Sequence, residues 1–394
     1  MLSNIPAVQS WLAQFLPQDR PTACKLLDGL VIIPTDRVVS DLKIAVESIL
    51  TQYQKAAIYP IRELLSNNES YFSLTDNTKP PTMQHAQATL GSEALVSNLI
   101  TRLNRTFQDK VVLENIPLPT GGLKASPSIS TIKNTKTKTL IIVDDLIGSG
   151  DRTCDFLDAI YQHPTIRSWV SGKHLKINVV AFMATDKGKK KVEKWCNNGK
   201  KADLHVINSC PSFHSSIDSK EIFDLCNQYA NKKERLPLGY DNVAVRVIFG
   251  HSAPNNIPAI LYRTAKKYRP KSTLIGVYPA SWTPLFPRRD VPEEIKIQIN
   301  LKKKTVSKKG SVQRLLEQLE QTPSISERQL RHILDWSIAE LKHFISFCKR
   351  FDMLTTSNGE VKITSQGQVE LKVLNKKQYT IEFNKENYYP EKLE

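Results

Sequence analysis

The chain has 394 residues and a net charge of +16, with 55 Lys and Arg against 39 Asp and Glu. That length admits about two or three domains and a core that needs neither disulfides nor metal. The charge excludes an acidic solvating protein and makes a polyanion a plausible partner, although a basic excess this spread out suits a plainly solvated surface equally well.

No apolar run approaches the roughly 20 residues that span a bilayer, and residues 1–20 lack the basic start and cleavage site of a signal peptide. The six cysteines (Cys24, Cys154, Cys196, Cys210, Cys226 and Cys348) are scattered and form no CxxC pair. Reduced thiols in a cytoplasmic protein without membrane contact are expected, and neither a zinc site nor a disulfide framework.

Residues 5–16 and 40–54 read as amphipathic helices, the second with Leu42, Ala45, Val46, Ile49 and Leu50 on its apolar side. Short apolar runs follow at 56–61, 140–143, 177–183, 204–207, 243–249 and 274–278. They are Val- and Ile-rich and do not alternate, as strands buried on both faces require. Helical patterns at 153–161, 188–197 and 219–230 lie between them, which predicts βαβ units and a mostly parallel sheet. Stretches 64–90 and 114–138, rich in Ser, Thr, Asn and Pro, read as long surface loops. Lysines cluster over 187–201, where a solvated helix face is the simplest reading.

This α/β body occupies residues 1–300, and a Lys-rich linker over 301–310 separates it from a module at 311–394. In that module Val312, Leu315, Leu316 and Leu319 have helical spacing. Capping boxes at Ser326–Gln329 and Ser337–Glu340 open two more helices. Ser357-Asn358-Gly359 then joins two short strands as a hairpin. Three helices and a hairpin predict a winged helix-turn-helix. Its third helix would present Lys342, His343, Ser346, Lys349 and Arg350, to nucleic acid or to a protein partner.

The chemistry concentrates in Leu140-Ile-Ile-Val-Asp-Asp-Leu-Ile-Gly-Ser-Gly-Asp151, where an apolar strand ends in Asp144 and Asp145 ahead of a tight glycine turn and a helix. Ligands of open α/β sheets bind beyond the carboxyl ends of strands. Glycine lets successive amides face one anion, and a helix N-terminus adds partial positive charge, so a phosphate belongs in this loop. The carboxylates beside it suit sugar hydroxyls or a magnesium ion. Upstream, the run at 56–61 leads into Arg62 and Glu63, and Arg62 offers a fork of hydrogen-bond donors. Downstream, His251, Asn255 and Asn256 offer hydrogen bonds to a base, Trp282 and Phe286 a stacking surface, and Arg288 a phosphate contact.

The 140–153 segment resembles the phosphoribosyl-pyrophosphate loop of type I phosphoribosyltransferases. The resemblance implies that fold, with Asp144 and Asp145 on the ribose hydroxyls, Gly148, Ser149, Gly150 and Asp151 around the 5-phosphate, and Arg62, after the preceding strand, as the clamp on pyrophosphate. Those loops usually close with Thr or Ser. Here Arg152 takes that place, with Thr153 next, so Arg152 itself is a candidate phosphate ligand. With the upstream and downstream patterns and the C-terminal module, the chain is similar to phosphoribosyltransferase-like proteins of bacterial conflict systems, some of them encoded beside retrons.

That lineage implies an anti-phage effector using phosphoribosyl pyrophosphate and magnesium, with Asp144 and Asp145 meeting the metal indirectly. Nucleic acid or a defence nucleoprotein would be its partner. Other readings stay open. The LIIVDD run also resembles the first strand of receiver domains, and the whole chain suits a non-catalytic regulator that senses phosphoribosyl pyrophosphate and binds DNA.

Overall fold

The computed structural model describes residues 2–64, 70–81, 92–116, 123–199, 202–271, 278–296, 311–322, 324–334, 336 and 338–376. In chain order the first strands are β1 (Val31–Ile33), β2 (Ala56–Pro60), β3 (Val111–Val112), β4 (Glu114–Ile116), β5 (Leu123–Ala125), β6 (Thr139–Ile147), β7 (Lys176–Ala184), β8 (Ala202–Ser209) and β9 (Val247–Phe249). Five of them form a parallel sheet in the order β3-β2-β6-β7-β8.

Apolar side chains hold this sheet from both sides. Leu140 and Ile142 of β6 and Val179 and Ala181 of β7 face one core, while Ile141, Val143, Val180 and Phe182 face the other. This period-two division is why the runs read as continuously hydrophobic. Helices Asp151–Tyr161 and Asp186–Asn197 follow β6 and β7 and complete βαβ crossovers. The mixed α/β class with a mostly parallel sheet is as expected from the sequence.

Three expectations need correction. β6 does not stop at Val143 but runs on to Ile147, so both aspartates lie within the strand. The run at 243–249 is a strand only over Val247–Phe249, and it pairs with β1 outside the main sheet. Asp241, Asn242 and Ala244 hold left-handed backbone there (φ 53°, 51° and 51°), which no strand accommodates. Stretch 114–138 is not a loop either: β4 and β5 pair antiparallel, and the helix Ile129–Asn134 is capped by Ser128, whose Oγ accepts the Thr131 N–H at 3.2 Å. The run at 274–278 lies outside the described residues except for Tyr278, as does the linker at 301–310.

The chain divides into two compact units, Met1–Lys302 and Lys303–Glu394. The second has its own apolar cluster, built on Leu315, Leu319, Leu330, Leu334, Ile345, Leu354 and Val361. Helices Ser311–Gln321, Glu327–Leu334, Ile338–Arg350 and Ser365–Lys376 surround a three-stranded antiparallel sheet of β10 (Ile325–Ser326), β11 (Leu354–Ser357) and β12 (Glu360–Ile363). Ser326 and Gln329 form the expected capping box, with the Gln329 N–H on Ser326 Oγ and the Ser326 N–H on Gln329 Oε1, both at 3.3 Å. Asn358 and Gly359 make the hairpin turn with φ of 52° and 77°. Among the described residues all six cysteines are free, and no helix is long and apolar enough to cross a membrane.

Separate cores predict separate unfolding. Leu319→Ala empties a fully buried position and should destabilise the C-terminal unit by roughly 2–5 kcal/mol. Calorimetry should show one of two transitions lowered while the other stays in place. A single transition displaced as a whole would mean that the units unfold together.

Candidate phosphoribosyl site

Asp144 and Asp145 are only 2% and 4% exposed. Two adjacent buried carboxylates repel each other and lose hydration, so each needs compensation. Arg152, at the start of helix Asp151–Tyr161, supplies it for Asp144: Nη2 stands 2.8 Å from Oδ1 and 3.0 Å from Oδ2, and 3.9 Å from Asp145 Oδ1. His251 supplies it for Asp145, with Nε2 at 3.0 Å from Oδ2, which requires the proton on Nε2 for a neutral ring.

Neighbouring side chains of a regular strand point to opposite faces. Here the alternation lapses: Ile141 and Val143 share a core with Leu146, while Leu140 and Ile142 share one with Ile147. That change of phase lets one guanidinium attend to both acids. Burial raises the Asp144 carboxyl above the usual range, and the opposing attraction of Arg152 does not fully offset it. Burial acts on Asp145 too, but the His251 hydrogen bond and charge, with Arg152, hold it below the usual range.

Beyond Ile147 the chain turns through Gly148-Ser149-Gly150 into the helix. Gly150 has φ 87°, a conformation that glycine adopts without strain. The turn rests on the start of the next crossover helix. Thr185 Oγ1 donates to the Gly148 carbonyl at 2.5 Å and accepts the Gly188 N–H at 3.0 Å. A Cβ on Gly188 would lie 2.3 Å from the Gly148 carbonyl oxygen, so only glycine fits. Lys191 forms an ion pair with Asp151, and Lys187 one with Asp241 at 2.6 Å. The lysine cluster is therefore not a wholly solvated face: two of its members brace the loop region.

A cavity of about 790 Å³ opens at this strand end. It brings together Asp145, the whole 148–153 loop, Asn255, Asn256 and Arg288 from the sequence-derived candidates. Asn256 abuts the loop, since a Cβ on Gly148 would meet its Oδ1 at 2.3 Å, and its Nδ2 donates to the Tyr240 carbonyl at 3.2 Å. Asp144 and His251 stand behind this surface and act on it through Arg152 and Asp145. Arg62 is half-buried just past β2, and its neighbours Glu63 and Leu64, not Arg62, line the cavity.

Trp282 does not reach it. At 2% exposure it belongs to an aromatic cluster with Trp11, Phe15, Tyr229 and Tyr268, and its indole N–H donates to the Ile260 carbonyl at 2.9 Å. Phe286 is likewise fully buried. Neither offers a stacking face. Sequence reasoning missed Tyr240, Tyr262, Arg263 and Arg289, which line the cavity from segments far apart in the chain. The Arg288-Arg289 and Tyr262-Arg263 pairs among proline-rich runs were the only local signal.

The family model described as PRTase-CE matches residues 8–288, a span that contains β1 to β9 and every cavity-lining segment but Arg289. The chain belongs to the PRTase-CE family. It is thus a phosphoribosyltransferase-like protein, and the matched span includes the Asp144–Thr153 segment. No curated protein matches the chain.

Gly188→Ala should separate the loop from its support. Overpacking against a backbone oxygen costs about 1–3 kcal/mol, and the 148–150 turn must shift to relieve it. Chemical denaturation should register the loss, and amide exchange at Gly148–Asp151 should quicken. Unchanged exchange there would mean that the loop holds its shape without the helix beneath it.

Proposed function

We propose that this PRTase-CE protein binds phosphoribosyl pyrophosphate and transfers its ribose 5-phosphate to a nucleotide or macromolecular acceptor. The observation that carries the reading is the joint placement of Asp145 and the Gly148–Thr153 loop on one cavity at the end of the central strand. The 5-phosphate takes the loop, where a helix start leaves backbone amides without intrahelical acceptors. The ribose hydroxyls take Asp145 and Asp144, competing with Arg152 for the latter. The acceptor's nucleophile bonds to C1 as the C1–O bond breaks. Its electron pair leaves with pyrophosphate, and the nucleophile's proton passes to solvent.

Positive charge builds on the ring along the way, and a buried carboxylate stabilises it far more than an exposed one would. Arg62, whose neighbours Glu63 and Leu64 line the cavity, is the proposed clamp on the departing pyrophosphate. Among the described residues no three His, Cys, Asp or Glu side chains converge as a metal cage. Magnesium enters as the counterion of the pyrophosphate, meeting the aspartates only indirectly.

In this reading the protein is a cytoplasmic anti-phage effector, the role implied by its resemblance to conflict-system proteins. The C-terminal unit, with its Ser326–Gln329 capping box and Asn-Gly hairpin, serves as a winged helix-turn-helix. Lys342, His343, Ser346, Lys349 and Arg350 are all exposed on the helix Ile338–Arg350, which favours a nucleic-acid or nucleoprotein partner. The same exposure supports the second reading, a non-catalytic DNA-binding regulator that senses phosphoribosyl pyrophosphate.

Labelled phosphoribosyl pyrophosphate, incubated with the protein, magnesium and cell extract, tests the first reading. Pyrophosphate release with label on an acceptor is expected. Asp144→Asn and Asp145→Asn keep the side-chain shape without the charge, and each should lower turnover at least a hundredfold, roughly the effect of losing one charge-stabilising group. Binding without any turnover in the unaltered protein would leave the sensor. Full activity in both variants would remove the site from the aspartates.

Neutralising Lys342, Lys349 and Arg350 together should weaken binding to duplex DNA and lower the slope of log affinity against log salt by ~0.9 for each phosphate that the helix ceases to neutralise. If affinity and slope both survive, the exposed helix face does not meet nucleic acid.

A further inference from the structure

The cavity has two walls of different chemistry. One is the 148–153 loop with Asp145. The other is laced together by hydrogen bonds to the main chain. The Tyr240 N–H and the Tyr262 hydroxyl both donate to the Asn255 carbonyl, at 2.9 and 3.2 Å, and the Ala253 N–H donates to the Arg289 carbonyl at 2.9 Å. This second wall presents Tyr240, Tyr262, Arg263, Arg288 and Arg289.

Of its three guanidinium groups, Arg263 pairs with Glu234 at 3.6 Å, which leaves Arg288 and Arg289 to meet an anion. Arg288 and Arg289 are also held in left-handed backbone, with φ of 54° and 67°, where L side chains are disfavoured and glycine is at ease. Arginine stands there in spite of the backbone, and among the described residues neither one has an ion-pair partner. Arg263 lies 5.1 Å from the centre of the Tyr262 ring, which leaves the half-exposed Tyr240 ring as the free planar surface beside the cationic group.

Guanidinium forks recognise phosphate, and a neighbouring tyrosine ring stacks on any base. We propose that this wall is the acceptor subsite and that the acceptor is a nucleotide, its phosphate on Arg288 and Arg289 and its base against Tyr240. The identification of the acceptor rests on the phosphoribosyl reading of the opposite wall. The anion subsite itself rests only on the arginines.

Calorimetric titration of the full chain with AMP, GMP, CMP and UMP in turn, with and without phosphoribosyl pyrophosphate and magnesium, tests this. At least one monophosphate should bind, and its parent nucleoside should bind roughly tenfold or more weakly, the loss expected for charged hydrogen bonds. Arg288→Gln with Arg289→Gln should lower monophosphate affinity by a similar factor and leave that for phosphoribosyl pyrophosphate unchanged, while the Lys pair retains most of the binding.

Should the Gln pair melt early, the nucleotide-against-nucleoside comparison on the unaltered protein decides alone. Equal affinity for nucleoside and nucleotide overturns the proposal. So does an equal loss of phosphoribosyl pyrophosphate binding, which would make the arginines its pyrophosphate clamp. If phosphoribosyl pyrophosphate binds and no monophosphate does, the inference falls and the transferase reading stands. If only monophosphates bind, and through the arginines, the transferase reading falls and the nucleotide subsite stands.

Discussion

Two carboxylates buried side by side on a central strand set the terms for everything around them. A charge removed from water costs several kcal/mol unless a partner meets it at good geometry. Asp144 meets Arg152 and Asp145 meets His251, so the helix start and the segment after β9 are both tied to β6. His251 stacks on Phe249, ring centroids 5.2 Å apart and nearly parallel, so the second partner is fixed in turn by an apolar neighbour. The two acids end in different electrostatic states although they are adjacent in sequence. Asp144 is the harder to ionise and Asp145 the easier, which divides the pair into unlike groups at one site.

Close approach is the second constraint. The Gly148–Gly150 turn packs on the Thr185–Gly188 helix start with no room for a side chain at Gly188, and Asn256 fills the space a side chain at Gly148 would need. The loop is thus held on one flank by a hydrogen-bonded threonine and on the other by a buried asparagine. Its shape is set by neighbours as far as a hundred residues away as much as by its own glycines. A rigid turn of this kind suits an anion whose oxygens must be met together, because little reorganisation is left to do on binding.

The C-terminal unit follows a different logic. Its cluster of Leu315, Leu319, Leu330 and Val361 is small, and local devices do much of the specifying: a reciprocal capping box at Ser326–Gln329 and a two-residue turn at Asn358-Gly359. Its surface is mixed, with Phe347 and Phe351 exposed and 4.9 Å apart among the basic side chains of the same helix and its end.

Local grammar made much of this legible in advance. The apolar runs at 56–61, 140–143, 177–183 and 204–207, the Gly-Ser-Gly turn before a helix, the Ser326–Gln329 capping box and the Asn-Gly hairpin each depend on residues within a few positions of one another, and each formed. The acidic pair could be assigned to the central strand for the same reason, although it lies within β6 and not at its end. What the sequence could not carry was partnership at a distance. Arg152 reads only as a candidate phosphate ligand until the fold also sets it against Asp144, Trp282 reads as a stacking platform until Trp11 and Phe15 enclose it, and Lys191 reads as solvated until it meets Asp151. The second cavity wall exists only because Tyr240, Tyr262 and Arg289 come together across the chain. Propensity and periodicity are properties of neighbours along the chain, whereas burial and charge pairing are settled only when distant segments pack.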